Sequence, residues 1–188
     1  DADLHKKARR AGIASFIGTT IEWYDFYIYG LAAALVFGKV FFPADMDPGL
    51  ATLLSFVTLW SGFIARPLGG LIFGHLGDRI GRKTTLVITL IMMGIATTCI
   101  GLLPVYTQIG IWAPLALLLL RVIQGAAIGG EVPGAWVFVA EHVPARHVGY
   151  ACGTLTSGLT AGILLGSLVA TAINSFYSAT EVQDYAWR

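Results

Sequence analysis

The hydrophobic residues of the chain form five long segments, each separated from the next by a short polar connector. A helix that crosses the core of a bilayer needs about 20 predominantly apolar residues, and every one of these segments reaches that length. We therefore predict five membrane-spanning helices, at about residues 11–42, 50–76, 84–103, 111–140 and 148–172. The tail that follows, Asn174–Arg188, is polar and is predicted to contain no sixth span.

The third and fourth segments come from one stretch without acidic, basic or histidine residues. This stretch, Thr84–Leu120, is too long for a single span, and Pro104 and the polar residues up to Gln108 interrupt it. The connectors that result carry turn residues or charge: Pro43–Pro48, Gly77–Lys83, Val105–Gly110 and Glu141–His147.

The composition is typical of a membrane protein and excludes several other classes. Hydrophobic residues make up 56% of the chain and charged residues only 12%, about half of the roughly 25% that soluble domains carry. The 12 basic and 11 acidic residues leave a net charge of +1, so no excess of positive charge is present to bind nucleic acid. The predicted fold class is all-α, a polytopic helical bundle in contact with membrane lipid.

Motifs for catalysis, metals or cofactors are absent from the sequence. Cys99 and Cys152 lie within apolar runs, and neither belongs to a spacing that is typical of metal ligands. The sequence also has no phosphate-binding loop and no pairing of a nucleophile with a base. We expect no enzymatic activity, no metal and no cofactor.

The basic residues outside the spans indicate an orientation. The side that includes the N-terminus carries eight of them: Lys6, Lys7, Arg9, Arg10, Arg79, Arg82, Lys83 and Arg146. The opposite side carries only Lys39 and Arg188. Because cytoplasmic segments are enriched in Lys and Arg, the N-terminus is predicted to be cytoplasmic.

Five ionisable residues lie in the middle of the predicted spans, namely Glu22, Asp25, Arg66, Arg121 and Glu131. Each charge at the centre of a bilayer costs about 2.5–3.5 kcal/mol on insertion scales, so these residues are expected to face one another or a water-filled cavity. Glu22 and Asp25 share a helix face, as do Gln124 and Glu131. We expect four of the five to meet in one central layer, with Arg121 nearer the outside.

The charges in this layer do not balance. Three carboxylates face two guanidiniums, and arginine keeps its charge, so one acid lacks a partner and taking it out of water favours its protonated form. A carboxyl group that takes up and releases a proton is the basis of proton-coupled transport, although the sequence leaves open which of the three acids does so. Structural ion pairs without a carrier role, an acid that only fixes helix packing, and a channel remain alternatives.

Other residues at this depth and on the helix faces are predicted to line a cavity or to pack. Tyr24 is predicted to line the solute cavity, and Trp23 fits either the cavity or the core. Small residues recur every four positions and are predicted to bring helices close together. They are Gly70 and Gly74, Gly125 and Gly129, and Thr154, Gly158, Gly162 and Gly166.

A glycine-rich, charged segment joins the second and third predicted spans. Its glycines, Gly74, Gly77 and Gly81, allow a tight turn, and Asp78 is placed near the start of the next helix, where it would suit the helix dipole. Its bases are Arg79, Arg82 and Lys83. The whole run Gly74–Lys83 resembles the signature loop of the major facilitator superfamily.

Further motifs narrow this resemblance. Arg121–Gly125 resembles the Arg-x-x-Gln-Gly pattern of the fourth helix in that superfamily. Ile21–Phe26, Arg66–Gly70 and Gly129–Glu131 are similar to motifs of the metabolite:proton symporter family, whose members take up organic acids, osmolytes or amino acids. These motifs occur in the expected order along nearly the whole chain.

The resemblance implies a bacterial inner-membrane carrier with twelve helices in two halves. It implies that Asp78 and Arg82 latch the cytoplasmic gate, and that acids of the first helix and Arg121 take part in coupling a proton to a small solute. Since only five spans are predicted, the chain is expected to be an N-terminal part whose partner, the C-terminal half, is missing. The alternative is a truncated, non-transporting membrane fragment or subunit.

Overall fold

Five long helices account for most of the chain in the structure, a computed structural model that describes residues 2–187. They are α1 (Ala2–Ala32), α2 (Pro48–Ile80), α3 (Arg82–Leu102), α4 (Trp112–His142) and α5 (Val148–Phe176). Helix α1 continues through a π-helical turn, Ala33–Phe37, and a final α-helical turn, Gly38–Val40. Residues 2–187 contain no strand, so the predicted all-α fold class is confirmed.

Short helical turns connect or follow the long helices. Tyr106–Ile109 lies between α3 and α4, and the 3₁₀ turn Ala145–His147 lies between α4 and α5. After α5 come an α-helical turn, Ala179–Glu181, and a π-helical turn, Val182–Ala186. Ser178 caps the first of these, because its hydroxyl accepts from the Glu181 amide while the Glu181 carboxylate accepts from the Ser178 amide.

Some of the predicted features lie outside what the structure describes. Asp1 and Arg188 are not described, and neither are the side chains of residues 2–11, 14, 132–134, 138, 139 and 142. The basic cluster that was predicted before the first span, Lys6, Lys7, Arg9 and Arg10, therefore lies outside the described side chains.

Four of the helical regions are long and apolar enough to cross a membrane, by length and composition, within the described residues. They are Pro48–Ile80, Arg82–Leu102, Trp112–Val137 and Ala145–Phe176. Helix α1 is not among them, and it carries Glu22 and Asp25 among its apolar residues. The chain is thus a multi-pass membrane protein.

The junction between α2 and α3 is shorter than the predicted connector Gly77–Lys83. Helix α2 continues to Ile80, and only Gly81 separates it from α3, with a φ of 94° that disfavours residues carrying a Cβ. Asp78 consequently lies in the last turn of α2, so its predicted place near the start of the next helix was wrong. Gly74 and Gly77 do not break α2, because their backbones stay in the helical ladder.

Close backbone contacts hold α2 against α4. A Cβ on Gly69 would overlap the Ala126 carbonyl, and a Cβ on Gly125 would overlap the backbone of Gly62. Gly129 meets the backbone of Arg66 in the same way. Because the backbones of α2 and α4 are in direct contact, the side chains beside the contact have little freedom to move. The two helices therefore hold the residues between them in fixed positions.

The predicted small-residue rows are confirmed in part. On α5, Gly158, Gly162 and Gly166 pack against α1, where a Cβ on each would lie 2.9 Å or less from an atom of Phe16, Thr20 or Tyr27. On α2 the predicted row Gly70 and Gly74 was wrong at its second position. A Cβ on Gly74 would meet nothing within 4 Å, because the contact with α4 runs along Gly62 and Gly69 instead.

The largest apolar core lies at the end of the bundle opposite Gly81. It includes Tyr29, Phe37 and Phe41 of the α1 segment together with Leu103 and Leu117. Trp187 packs on this core, with its ring centroid 5.5 Å from that of Phe41. Many other large apolar side chains point outwards, among them Leu53, Ile64, Leu71, Ile95, Leu119 and Leu168, as expected for helices whose solvent is lipid.

Candidate functional site

Two ionic clusters lie between the helices, and the first is centred on Asp25. We call Asp25, Tyr29, Thr97, Arg121 and Gln124 the Asp25 cluster. Asp25 Oδ2 accepts from Gln124 Nε2 at 2.7 Å and from Arg121 Nη1 at 3.4 Å, while Oδ1 accepts from Thr97 Oγ1 at 3.1 Å. Both carboxylate oxygens are therefore bonded, and the cluster ties α1 to α3 and α4.

The Arg121 guanidinium is enclosed on several sides within this cluster. Its carbon atom lies 4.1 Å from the centroid of the Tyr29 ring, a cation–π contact, and Nη1 also donates to Gln124 Oε1. Gly62 on α2 leaves the room that Arg121 occupies, since a Cβ there would lie 3.1 Å from Nε. Only 2% of Arg121 is exposed, so this residue lies inside the bundle.

Tyr29 and Gln124 are themselves held in place. The Tyr29 hydroxyl pairs with Thr58 Oγ1 at 2.7 Å, and Thr58 in turn donates to the Ser55 carbonyl at 2.6 Å. Gln124 Nε2 donates to Thr97 Oγ1 at 2.8 Å as well as to Asp25, and Gln124 is fully buried. The bonds within the Asp25 cluster thus fix one another's geometry.

The second cluster lies one helical turn away on α1 and is bonded much less completely. We call Glu22, Arg66 and Glu131 the Glu22 cluster. Arg66 Nη2 lies 3.5 Å from Glu22 Oε1, and no described hydrogen bond accompanies this ion pair. The side chain of Arg66 is 26% exposed, whereas that of Glu22 is 3% exposed. Arg66 therefore has one weakly held anionic partner and one accessible side.

Glu131 is the acid that remains without a basic partner. It is 5% exposed, no described basic side chain forms an ion pair with it, and its Oε2 accepts no hydrogen bond from the described residues. Its Oε1 faces α1, since a Cβ on Gly18 would lie 3.0 Å from that atom. Gly18 is one turn before Glu22, so two buried carboxyl groups share this side of α1.

The charged residues form two separate ion pairs, and Glu131 forms none with a described residue. Glu22 and Asp25, although three residues apart on α1, pair with different arginines on different helices. The structure does not join Tyr24 to either cluster by a described hydrogen bond, ion pair or ring contact, and its backbone packs against Gly162.

A row of aromatic side chains lies beside Arg66. The guanidinium carbon of Arg66 lies 4.5 Å from the centroid of the Phe63 ring. Phe63 contacts Phe26 edge to face, with 5.3 Å between centroids, and Phe26 contacts Trp23 at 5.5 Å. This row places aromatic side chains beside Arg66, with Phe63 covering one face of its guanidinium.

A third ionic group lies at the Gly81 end of the bundle. Arg82 contacts Asp78 at 3.6 Å, from Nη2 to Oδ1, and Glu141 at 3.6 Å, from Nε to Oε1. These three side chains are 40% to 71% exposed. Arg79 and Lys83 are exposed and form no ion pair with another described residue. Gly77 is buried, and a Cβ added to it would lie 3.7 Å from Thr85 Oγ1.

Three participants were missed by sequence reasoning as members of these groups. Thr97 lies in a stretch without charge and gives no sequence signal, and the role of Tyr29 against Arg121 depends on how α1 and α4 cross. Glu141 ends an apolar helix and could have been paired with Arg82 on charge and side of the membrane alone. No group of three His, Cys, Asp or Glu residues that could hold a metal lies within the described part of the chain.

Charged side chains buried between membrane-spanning helices are energetically costly. They are typical of the class of membrane proteins through which a solute or an ion passes. Comparison with known sequences gives the particular family. The chain belongs to the sugar (and other) transporter family of the major facilitator superfamily, whose profile matches residues 11–188. The prediction that the chain belongs to a family of membrane transporters, and not to a family of enzymes, is confirmed.

Curated relatives agree with this assignment. The shikimate transporter of Escherichia coli (strain K12) is 44% identical over 182 residues, which are 97% of this chain and 41% of that protein. The proline/betaine transporter of the same strain is also 44% identical over 182 residues, which are 36% of its length. The chain thus spans about two fifths of these relatives. No solved structure matches the chain significantly.

Proposed function

We propose that this chain forms the N-terminal helices of a solute:proton symporter, in which a proton on a buried acid accompanies a small metabolite. The observation that carries the proposal is the surplus acid. Glu22 and Asp25 each face one arginine, and Glu131 faces none among the described residues. Because an uncompensated buried carboxylate is costly, a proton is the simplest partner for it.

The substrate class follows from the relatives and from the two arginines. Shikimate, proline and betaine, which occur in the relatives' names, each carry one carboxylate. A guanidinium between the helices suits such a group, since arginine binds carboxylates through charge-assisted hydrogen bonds. We propose an organic acid, an amino acid or a zwitterionic osmolyte as the solute.

The proposed setting is a bacterial inner membrane with a cytoplasmic N-terminus. All five long helices, including α1, would cross the bilayer, and the second half of the carrier would pack beside them. The contacts of Arg82 with Asp78 and Glu141 would then steady the cytoplasmic end of α2 against α4. Gly74, Gly77 and Gly81, with Arg79 and Lys83, belong to the same proposed gate.

Transport by the complete protein in proteoliposomes tests this function. We would impose a proton gradient and follow accumulation of radiolabelled shikimate, L-proline or glycine betaine. In parallel we would measure counterflow, in which labelled solute exchanges across the membrane without net proton movement. The neutral variants Glu22→Gln, Asp25→Asn and Glu131→Gln are compared with wild type, and Asp45→Asn serves as an exposed acidic control.

We expect at least one of the three buried-acid variants to lose gradient-driven accumulation by about tenfold or more while keeping counterflow, since loss of a positioned proton carrier removes the driving force and not the binding site. Asp45→Asn should behave as wild type. Gradient-driven accumulation that survives in all three buried-acid variants would contradict proton coupling through these residues. Solute flux that ignores the proton gradient in the wild-type protein would instead favour a channel or uniporter.

A further inference from the structure

The two buried arginines differ in whether they can bind anything more. In the Asp25 cluster, Arg121 is 2% exposed, covers the Tyr29 ring and contacts two acceptor side chains. In the Glu22 cluster, Arg66 has one anionic contact at 3.5 Å and is 26% exposed. A solute carboxylate could reach Arg66 without dismantling a hydrogen-bonded network, and it could not reach Arg121 in this way.

We propose that Arg66 is the binding site for the carboxylate of the transported solute, and that this carboxylate displaces Glu22, which takes up the accompanying proton. The inference rests on the proposed symport function and adds to it the group that is bound, the arginine that binds it and the acid that is released. The row of Phe63, Phe26 and Trp23 lies beside Arg66 and would contact the apolar part of the solute.

The charges balance in each step of this exchange. Before solute binds, Glu22 is ionised and paired with Arg66, and Glu131 is protonated, so the cluster is neutral. When the carboxylate of an anionic solute such as shikimate takes the place of Glu22 on Arg66, it adds one negative charge. One proton from the open side of the carrier then bonds to the freed Glu22 carboxylate, and the cluster is neutral again. No bond other than this O–H bond is made or broken.

The surroundings of Glu22 explain why its freed carboxylate would not remain charged. The charged groups that act on it are Asp25 on α1, Arg66 on α2 and Glu131 on α4. Arg121 is already paired with Asp25, and α5 and the part of α3 after Lys83 carry no acidic or basic residue. With Arg66 occupied by solute, no cation remains for Glu22.

Binding measurements on the complete transporter in nanodiscs test the inference. Affinities would be measured by isothermal titration calorimetry with shikimate, L-proline and glycine betaine. The methyl ester of shikimate and L-prolinamide, which lack the carboxylate, serve as matched ligands. The protein variants are Arg66→Gln, Arg66→Lys and Glu22→Gln, and Lys39→Gln is the control because Lys39 is exposed and lies outside both clusters.

Arg66→Gln should weaken binding of the preferred carboxylate by about 10- to 100-fold, the range expected for a lost hydrogen bond to a charged group. Arg66→Lys should recover part of this loss, since it keeps the charge. Glu22→Gln should bind the carboxylate about tenfold more tightly, because the competing anion is gone. The ester and the amide should bind weakly to wild type and should be insensitive to Arg66→Gln.

Four results would overturn the inference: unchanged affinity in Arg66→Gln, tighter binding of the ester than of the acid, weaker binding in Glu22→Gln, or no binding of any of the three carboxylates by wild type. Correct folding of each variant is checked by its size-exclusion profile and its thermal unfolding. The inference can fail while the proposed function stands, since proton-driven accumulation that persists in Arg66→Gln would leave symport intact and remove Arg66 from solute binding.

Discussion

The two ion pairs of α1 lie one helical turn apart and have the same chemistry, yet their surroundings differ completely. Asp25 and Arg121 are joined by hydrogen bonds to Thr97 and Gln124 and covered by Tyr29. Glu22 and Arg66 share a single contact of 3.5 Å, next to an acid with no basic partner of its own. A completed network resists change, whereas an incomplete one can accept a new ligand or proton at low cost.

This comparison assigns different tasks to the clusters. The Asp25 cluster fixes the positions of α1, α3 and α4 relative to one another. The Glu22 cluster lies where the backbones of α2 and α4 are in direct contact. In the proposed exchange its side chains would change partners while these two helices keep their positions. We expect substitutions in the first cluster to affect stability most and substitutions in the second to affect binding and coupling most.

The largest expected effect on stability is that of Arg121→Leu. The change leaves Asp25 buried without its cation, and breaking a buried pair in this way costs about 3–5 kcal/mol. Thermal unfolding of the detergent-purified transporter should show a clearly lower midpoint than for Arg66→Leu. Equal midpoints for the two variants would erase the distinction between the clusters.

Thr97→Val should have the next largest effect. Its hydroxyl, although exposed, donates to Asp25 and accepts from the buried Gln124, so its loss removes two hydrogen bonds, one of them to a charged group, at a cost of about 1–3 kcal/mol. The matched control is Thr98→Val, since the Thr98 hydroxyl is exposed and bonds only to the Gly94 carbonyl of its own helix. If both variants unfold at the same temperature, Thr97 does not stabilise the Asp25 cluster.

Glu22→Gln should change the stability by only about 0.2–1 kcal/mol. The partner Arg66 is partly exposed and the contact is long, so the pair resembles a surface salt bridge in strength. The same unfolding assay measures this difference. A loss as large as that of Arg121→Leu would show that the Glu22–Arg66 pair is structural.

The smallest effect is expected for Asp78→Asn at the Gly81 end. Asp78 and Arg82 form an exposed pair four residues apart, typically worth about 0.3–0.5 kcal/mol. Arg82 also keeps its contact with Glu141. A shift in the unfolding midpoint comparable with that of Thr97→Val would mean that this surface group contributes as much as the buried cluster.

Much of the helical framework could be predicted from the sequence, because spans of apolar residues and short polar connectors are read directly from residue type. The exact junction at Gly81 could not, since Gly74, Gly77 and Gly81 have equal freedom and only tertiary packing selects which one turns the chain. The contact of Arg121 with Asp25 could not be predicted either, because a helix face gives the direction of Cβ, whereas a long side chain reaches around the helix.

Which acid pairs with which arginine also could not be predicted from the sequence. The count of three acids and two arginines could be obtained from residue types alone, and the presence of an acid without an ion-pair partner is confirmed among the described residues. Which acid this is depends on how α1, α2 and α4 cross, and the crossing of α2 and α4 is set by contacts such as Gly62 with Gly125.

Proton uptake during solute binding tests most directly the idea that the Glu22 cluster couples proton to solute. The complete transporter, in weakly buffered solution with a pH indicator, is mixed with a saturating amount of an anionic solute that it binds, such as shikimate. Charge balance predicts uptake of about one proton per solute by wild type and by Thr98→Val, and almost none by Glu22→Gln. Full proton uptake by Glu22→Gln, together with its loss in Asp25→Asn, would place the coupling in the Asp25 cluster and contradict this account.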